Sequence, residues 1–118
     1  MKILIVEDEQ PVREMAVTFL EDAGFEVIEA STGEEALALC KERIADALFT
    51  DIRLPGKIDG WDVAEQCRKM DPNLPVVYAT GYSPGPHRIV PGARLIEKPY
   101  RMTTVIKTIR ELIGQYRN

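Results

Sequence analysis

The sequence is poor in several residue types and patterns that would announce particular functions. It holds one histidine, one tryptophan and two cysteines in 118 residues. A single histidine, His87, cannot build a multi-histidine metal site, and its place in a Pro/Gly-rich stretch predicts an exposed side chain. Cys40 and Cys67 form no C-x-x-C pair and sit inside helix-like patterns, so both are expected to be reduced thiols in the core. No apolar run approaches the ~20 residues that span a bilayer. The first apolar run stops at acids after four residues, unlike the core of a secretion signal. Together these features predict a cytoplasmic location. Basic residues are outnumbered, 15 Lys and Arg against 19 Asp and Glu, for a net charge of −4. Nucleic-acid surfaces cluster Lys and Arg to neutralise phosphates, so none is expected. Repeats, low-complexity segments and an internal linker are also lacking.

What is present is an ordinary globular composition, 45% hydrophobic, in a length suited to one domain over residues 1–118. Short apolar runs alternate with helical periodicity. Strands are predicted at 2–7, 25–30, 46–51, 75–80 and 93–97. Val12, Met15, Ala16, Phe19 and Leu20 fall at helix spacing, with Pro11 in the first turn and Gly24 at the end. Ser31 or Thr32 can cap a second helix that turns Ala36, Leu37 and Cys40 inward. Val63, Ala64, Cys67 and Met70 mark a third helix, with Trp61 as a packing residue at its start. The stripe from Met102 through Val105, Ile106, Ile109, Leu112 and Ile113 to Tyr116 is the widest. This alternation implies parallel strands with crossover helices, an open α/β sheet. One segment breaks the rhythm. "GYSPGPHRIVPG" (81–92) holds three Pro and three Gly, a composition that predicts a loop or about one helical turn.

The strand ends carry the chemistry. Glu7 and Asp8 follow the first strand, Asp51 ends the third, Thr80 the fourth and Lys98 follows the fifth. In an open α/β sheet these carboxyl ends share one edge, where ligands bind. Grouped carboxylates raise one another's pKa unless a cation lies between them. Hard oxygen donors at this density suit Mg²⁺, which takes one or two protein carboxylates and completes its shell with water and phosphate oxygens. Asp8 and Asp51 are candidates for direct ligands, and Glu7, one methylene longer, for a ligand through water.

At these residues the chain resembles the receiver domain of bacterial two-component response regulators. "ILIVEDE", "FTDIRLPGKIDG", "YATG" and "EKPY" carry the likeness, which spans nearly the whole chain. The resemblance implies a flavodoxin-like (βα)₅ three-layer sandwich with a parallel sheet of order 2-1-3-4-5. It implies that Asp51 accepts a phosphoryl group from a phosphohistidine on a histidine kinase or histidine phosphotransfer protein. It further implies that Mg²⁺ is held by Asp8, Asp51 and the main-chain carbonyl of Arg53, with Glu7 nearby. Thr80 would hydrogen-bond the phosphoryl group, Lys98 would pair with it, and Pro99 would follow a cis peptide. The module would then change its affinity for a protein output partner. Neither a membrane nor an enzymatic activity of its own is implied.

Three departures qualify the likeness. Glu7 stands where the family most often has Asp. Leu95 occupies the position of the Tyr or Phe that many receivers turn inward on activation. The 81–92 segment replaces the family's fourth helix, which should be shortened or missing, remodelling the partner-facing surface. "YATGY" resembles a subgroup, many of its members stand-alone, named for a Phe-Ala-Thr-Gly-x-Tyr stretch, in which Tyr82 could substitute for the aromatic. Arg53 and Tyr82 are expected to flank Asp51 and limit attacking water. Because no output domain follows residue 118, the expected output is binding. Met1 favours a stand-alone receiver, whereas "LPGKIDGWDVA" and "TGYS" favour a receiver segment of a hybrid histidine kinase. An aspartyl phosphatase usually needs a second Asp where Arg53 stands. A flavin module would need a Ser/Thr/Gly-rich phosphate cradle where the acids lie. A receiver-shaped scaffold that never turns over phosphate would not need Asp8, Asp51, Thr80 and Lys98 intact.

Overall fold

Alternate residues of the central strands serve opposite faces of one sheet, which is why those strands read as unbroken apolar runs. Leu4, Val6, Leu48, Val76 and Tyr78 belong to one buried cluster. Ile3, Ile5, Ala47, Phe49, Val77 and Ala79 belong to the other. The computed structural model describes residues 1–81 and 87–116. Its elements run β1 (Lys2–Val6), α1 (Gln10–Asp22), β2 (Glu26–Ala30), α2 (Gly33–Lys41), β3 (Ala47–Asp51), α3 (Gly60–Met70), β4 (Val76–Thr80), β5 (Arg94–Glu97) and α4 (Met102–Tyr116). All neighbouring strands pair in parallel, in the order β2-β1-β3-β4-β5. Helices α2 and α3 cover one face and α1 and α4 the other, a three-layer sandwich with the expected strand order.

Local chemistry explains the helix starts. Thr32 caps α2, its hydroxyl accepting from Glu35 N–H at 3.1 Å. Asp59 caps α3 in a reciprocal pair: Asp62 N–H donates to Asp59 at 2.9 Å and Asp59 N–H to Asp62 at 3.1 Å. Trp61 is 5% exposed, a packing residue as expected. In α4, Met102, Val105, Ile109 and Leu112 are buried, with Ile106 and Ile113 packed beside them.

Two expectations fail. Met15 and Phe19 do not enter the core; they are 49% and 46% exposed. At about 100° per residue, the α1 stripe that meets the sheet is centred between Ala16 and Leu20, and Met15 and Phe19 fall to one side of it. Cys40 and Cys67 are not separate thiols. They are joined as a disulfide between α2 and α3, with Cα atoms 5.8 Å apart. Their separation of 27 residues hid the pairing; it depends on how two helices lie against each other, which sequence periodicity does not report.

Among the described residues, no helix stands between β4 and β5. Residues 87–93 instead lie as a strap against α3. Arg88 donates to Asp62 at 2.9 Å and to Glu65 at 3.2 Å. Val90 N–H donates to the buried Tyr78 hydroxyl at 3.1 Å. His87 is exposed, as expected, and its ring lies 5.7 Å from that of Trp61, which also packs on Tyr78 at 4.8 Å. These side-chain bonds anchor a segment whose Pro/Gly content forbids regular helix.

Gly60 is where α3 approaches the end of β3. A Cβ there would lie 2.1 Å from Asp51 O and 2.7 Å from Ile52 Cα. Both are backbone atoms, and Gly60 N–H donates to Ile52 O at 2.7 Å. Gly60→Ala is therefore expected to destabilise the fold by about 3 kcal/mol, read from the midpoint of urea unfolding.

Candidate functional site

The site lies at the carboxyl edge of the sheet. β1 delivers Glu7 and Asp8, β3 delivers Asp51, β4 delivers Thr80, and β5 delivers Lys98. Parallel pairing brings these ends level, and the ladder continues one step past β1, where Glu7 N–H donates to Ala30 O at 3.1 Å. Asp8, Glu9, Asp51, Arg53, Thr80, Gly81 and Lys98 line a cavity of about 390 Å³. The carboxylates of Glu7, Asp8 and Asp51 each place an oxygen within 4.8 Å of the others.

Each carboxylate meets a different environment. Asp51 accepts from Lys98 Nζ at 3.1 Å on one oxygen and from Ile52 N–H at 3.1 Å on the other. Glu7 is 5% exposed; it accepts from Glu9 N–H at 3.1 Å and lies 3.9 Å from Lys98 Nζ. Asp8 is open to solvent. Burial is the largest influence on Glu7 and raises its pKa. The Glu9 N–H bond lowers it, the charge on Asp51 raises it and Lys98 lowers it, for a value of about 7. Burial pulls the Lys98 ammonium down, but the hydrogen bond and charge of Asp51, with Glu7, more than offset this and leave it raised.

Among the described residues, three carboxylates thus gather beside the Lys98 ammonium. The donor set is all oxygen and compact enough to share one ion, so the residues fit a hard divalent cation. Of the residues singled out from sequence, Glu7, Asp8, Asp51, Arg53, Thr80 and Lys98 are brought to one place. Tyr82 lies outside the described residues. Leu95 packs with the cluster on the α2–α3 side. The Lys98–Pro99 peptide is cis.

Sequence reasoning missed three supporting residues. Arg13 donates to Glu7 O at 2.8 Å and pairs with Glu29 at 3.2 Å, tying α1 to the end of β1. Tyr100 stands edge-on to Phe49, with centroids 5.9 Å apart, beneath the site. Gly60 abuts Asp51, and a glycine opening a helix just after an acid-bearing strand was the signal available.

The raised Glu7 pKa predicts a pH dependence. A carboxyl whose folded pKa exceeds its unfolded value stabilises the fold fully below the unfolded value of 4.5, and this contribution is lost as pH rises through about 7. In chelator, the native state should lose roughly 2–3 kcal/mol between about pH 5 and pH 8. Thermal melts of wild type and Glu7→Gln across that range measure it. The variant should lack the drop attributable to residue 7, and identical profiles would contradict the assignment.

The sequence matches the response regulator receiver domain family over residues 3–110. It is 40% identical over 79 residues to a probable transcriptional regulator of Guillardia theta, covering 67% of this chain but only 30% of that protein. A solved response regulator receiver protein from Sinorhizobium medicae is 33% identical, with a TM-score of 0.89 over 97% of this chain and 94% of that one. The receiver domain of the hybrid histidine kinase CckA is also 33% identical, with a TM-score of 0.83 over 96% and 99% of the two chains.

Proposed function

The chain belongs to the response regulator receiver domain family, a phosphorylation-dependent module of two-component signalling, and from that premise we propose that Asp51 is its phosphoacceptor. The observation that carries this reading is the Lys98–Asp51 bond inside a cluster of three carboxylates. A carboxylate oxygen of Asp51 attacks phosphorus, the P–N bond of a partner's phosphohistidine breaks, and the departing imidazole keeps the electron pair. Lys98 neutralises charge on the incoming group, and Thr80 at the end of β4 offers a hydroxyl to a phosphoryl oxygen. Asp8, Asp51 and the Arg53 carbonyl, with Glu7 beside them, would hold Mg²⁺. When bound, the ion offsets the negative charge that nucleophile and phosphoryl group bring together.

The chain acts as an acceptor and binding switch rather than as an enzyme. Its partners are a histidine kinase or histidine phosphotransfer protein and an output protein, met in the cytoplasm; no described helix is long and apolar enough to cross a membrane. Met15 and Phe19, exposed on the helix that begins beside the site mouth, offer apolar surface to the phosphohistidine-bearing partner. The likeness to a hybrid-kinase receiver supports a second reading, in which this sequence is a segment of such a kinase; the phosphoryl chemistry is the same in both.

Incubation with acetyl phosphate and Mg²⁺ tests the reading. Intact mass should rise by one phosphoryl group, and peptide mapping should place it on Asp51. No uptake would favour a scaffold that does not turn over phosphate. Arg53 lines the cavity and is exposed, so Arg53→Ala should shorten the phosphoryl lifetime by admitting water. The decay of the phosphorylated mass measures this, and an unchanged lifetime would remove Arg53 from that role.

A further inference from the structure

Helices α2 and α3 both begin with a glycine, and both glycines press on one loop. A Cβ at Gly33 would lie 2.6 Å from Ile58 O and from Ile58 Cγ2. A Cβ at Gly60 would lie 2.1 Å from Asp51 O. The loop held between these helix ends, residues 52–59, follows Asp51 directly and carries Arg53. Seven residues beyond each glycine, about 10 Å along each helix, stands a cysteine: Cys40 in α2 and Cys67 in α3. The two are joined, with Cα atoms 5.8 Å apart. One end of the helix pair therefore grips the loop that follows Asp51, and the disulfide ties the pair farther along.

We propose that the Cys40–Cys67 bridge is a reversible redox site that sets how firmly the 52–59 loop is held, and through it the lifetime of the phosphoryl group on Asp51. The second half of this statement rests on the function proposed above. In a reducing compartment, protein disulfides are chiefly transient, catalytic or redox-sensing ones, and a buried one reacts only through local opening. Both residues are buried, Cys67 at 1% and Cys40 at 7% exposure. Cys40 lies in the last turn of the nine-residue α2, where fraying of a single turn opens it to a reagent.

The redox chemistry balances as thiol–disulfide exchange with a small disulfide of the glutathione type. The Cys40 thiolate attacks one sulfur of that disulfide, the external S–S bond breaks, and one thiolate leaves. The Cys67 thiolate then attacks the Cys40 sulfur and expels the second. Two protein thiols lose two electrons, and the external disulfide gains them and, with the two protons released, becomes two thiols. A dithiol runs the sequence in reverse. Once reduced, α2 and α3 lose their covalent tie, and the Gly60 N–H bond to Ile52 O and the Ile52 N–H bond to Ala79 O open more readily.

The test compares the whole chain treated with oxidised glutathione and with dithiothreitol. After denaturation and alkylation, the oxidised sample should take up no label and the reduced sample two. Labelling of both cysteines after oxidation would overturn the bridge. In the folded protein, hydrogen exchange at the Ile52 and Gly60 amides should be about tenfold faster when reduced, and equal rates would overturn the hold on the loop. Cys40→Ser should exchange at the reduced rate in both buffers; if that variant fails to fold, the two wild-type states still decide. Phosphoryl decay should differ several-fold between the two states, and equal decay despite altered exchange would overturn the link to Asp51. Absence of phosphoryl uptake in both states would instead count against the proposed function, while the exchange rates still judge the bridge.

Discussion

Asp51→Asn should take up no measurable phosphoryl group from acetyl phosphate or from a phosphohistidine donor. The substitution keeps the shape of the side chain. Its amide oxygen can still accept from Ile52 N–H or from Lys98, so the fold should persist. What it removes is the anionic nucleophile: a neutral carboxamide oxygen does not displace the leaving group from phosphorus. Glu7 is buried, 5% exposed, and does not line the cavity that would receive the phosphoryl group. Asp8 is exposed but has no ammonium bonded to it among the described residues. Intact mass after incubation with Mg²⁺ and donor measures the effect. A variant that still gains a phosphoryl group would move the acceptor elsewhere.

Lys98→Met should slow phosphoryl uptake by about 100- to 1,000-fold, the range typical of removing one preorganised charge-stabilising group. Lys98 pairs with both Asp51 and Glu7, so it supplies a fixed positive charge against the acceptor. Methionine keeps most of the aliphatic stem, which separates loss of charge from loss of packing. A second effect follows from electrostatics: without the ammonium, Glu7 and Asp51 face each other uncompensated, and the Glu7 pKa should rise further above the ordinary carboxylate value. The initial rate of mass gain, with a thermal melt as a control for folding, measures the first effect. A rate within a few-fold of wild type would show that the ammonium is dispensable.

Much of the fold could be read from the sequence because the sheet imposes its pattern directly. Leu4 and Val6 serve one face and Ile3 and Ile5 the other, so Ile3 to Val6 had to be apolar, and the acids begin where the strand stops. The site was legible for the same reason: parallel strands put their ends at one edge, whatever the sequence distance between Asp8, Asp51, Thr80 and Lys98. What escaped depends on how helices sit, not on whether they form. The exposure of Met15 and Phe19 follows from the rotation of α1 on the sheet. The Cys40–Cys67 pair follows from the alignment of α2 with α3. The hold of Arg88 on Asp62 and Glu65 follows from the path of an irregular segment, which no periodicity encodes.

On the function proposed above, the carboxyl edge of this sheet gathers a divalent ion and a phosphoryl acceptor in one pocket. Crystals soaked in Mn²⁺, an anomalous scatterer that accepts the same oxygen ligands as Mg²⁺, test it most directly. An anomalous peak should appear bonded to Asp8, Asp51 and the Arg53 carbonyl oxygen, beside Lys98. A pocket that stays empty at saturating metal, or a peak bonded to neither Asp8 nor Asp51, would contradict it.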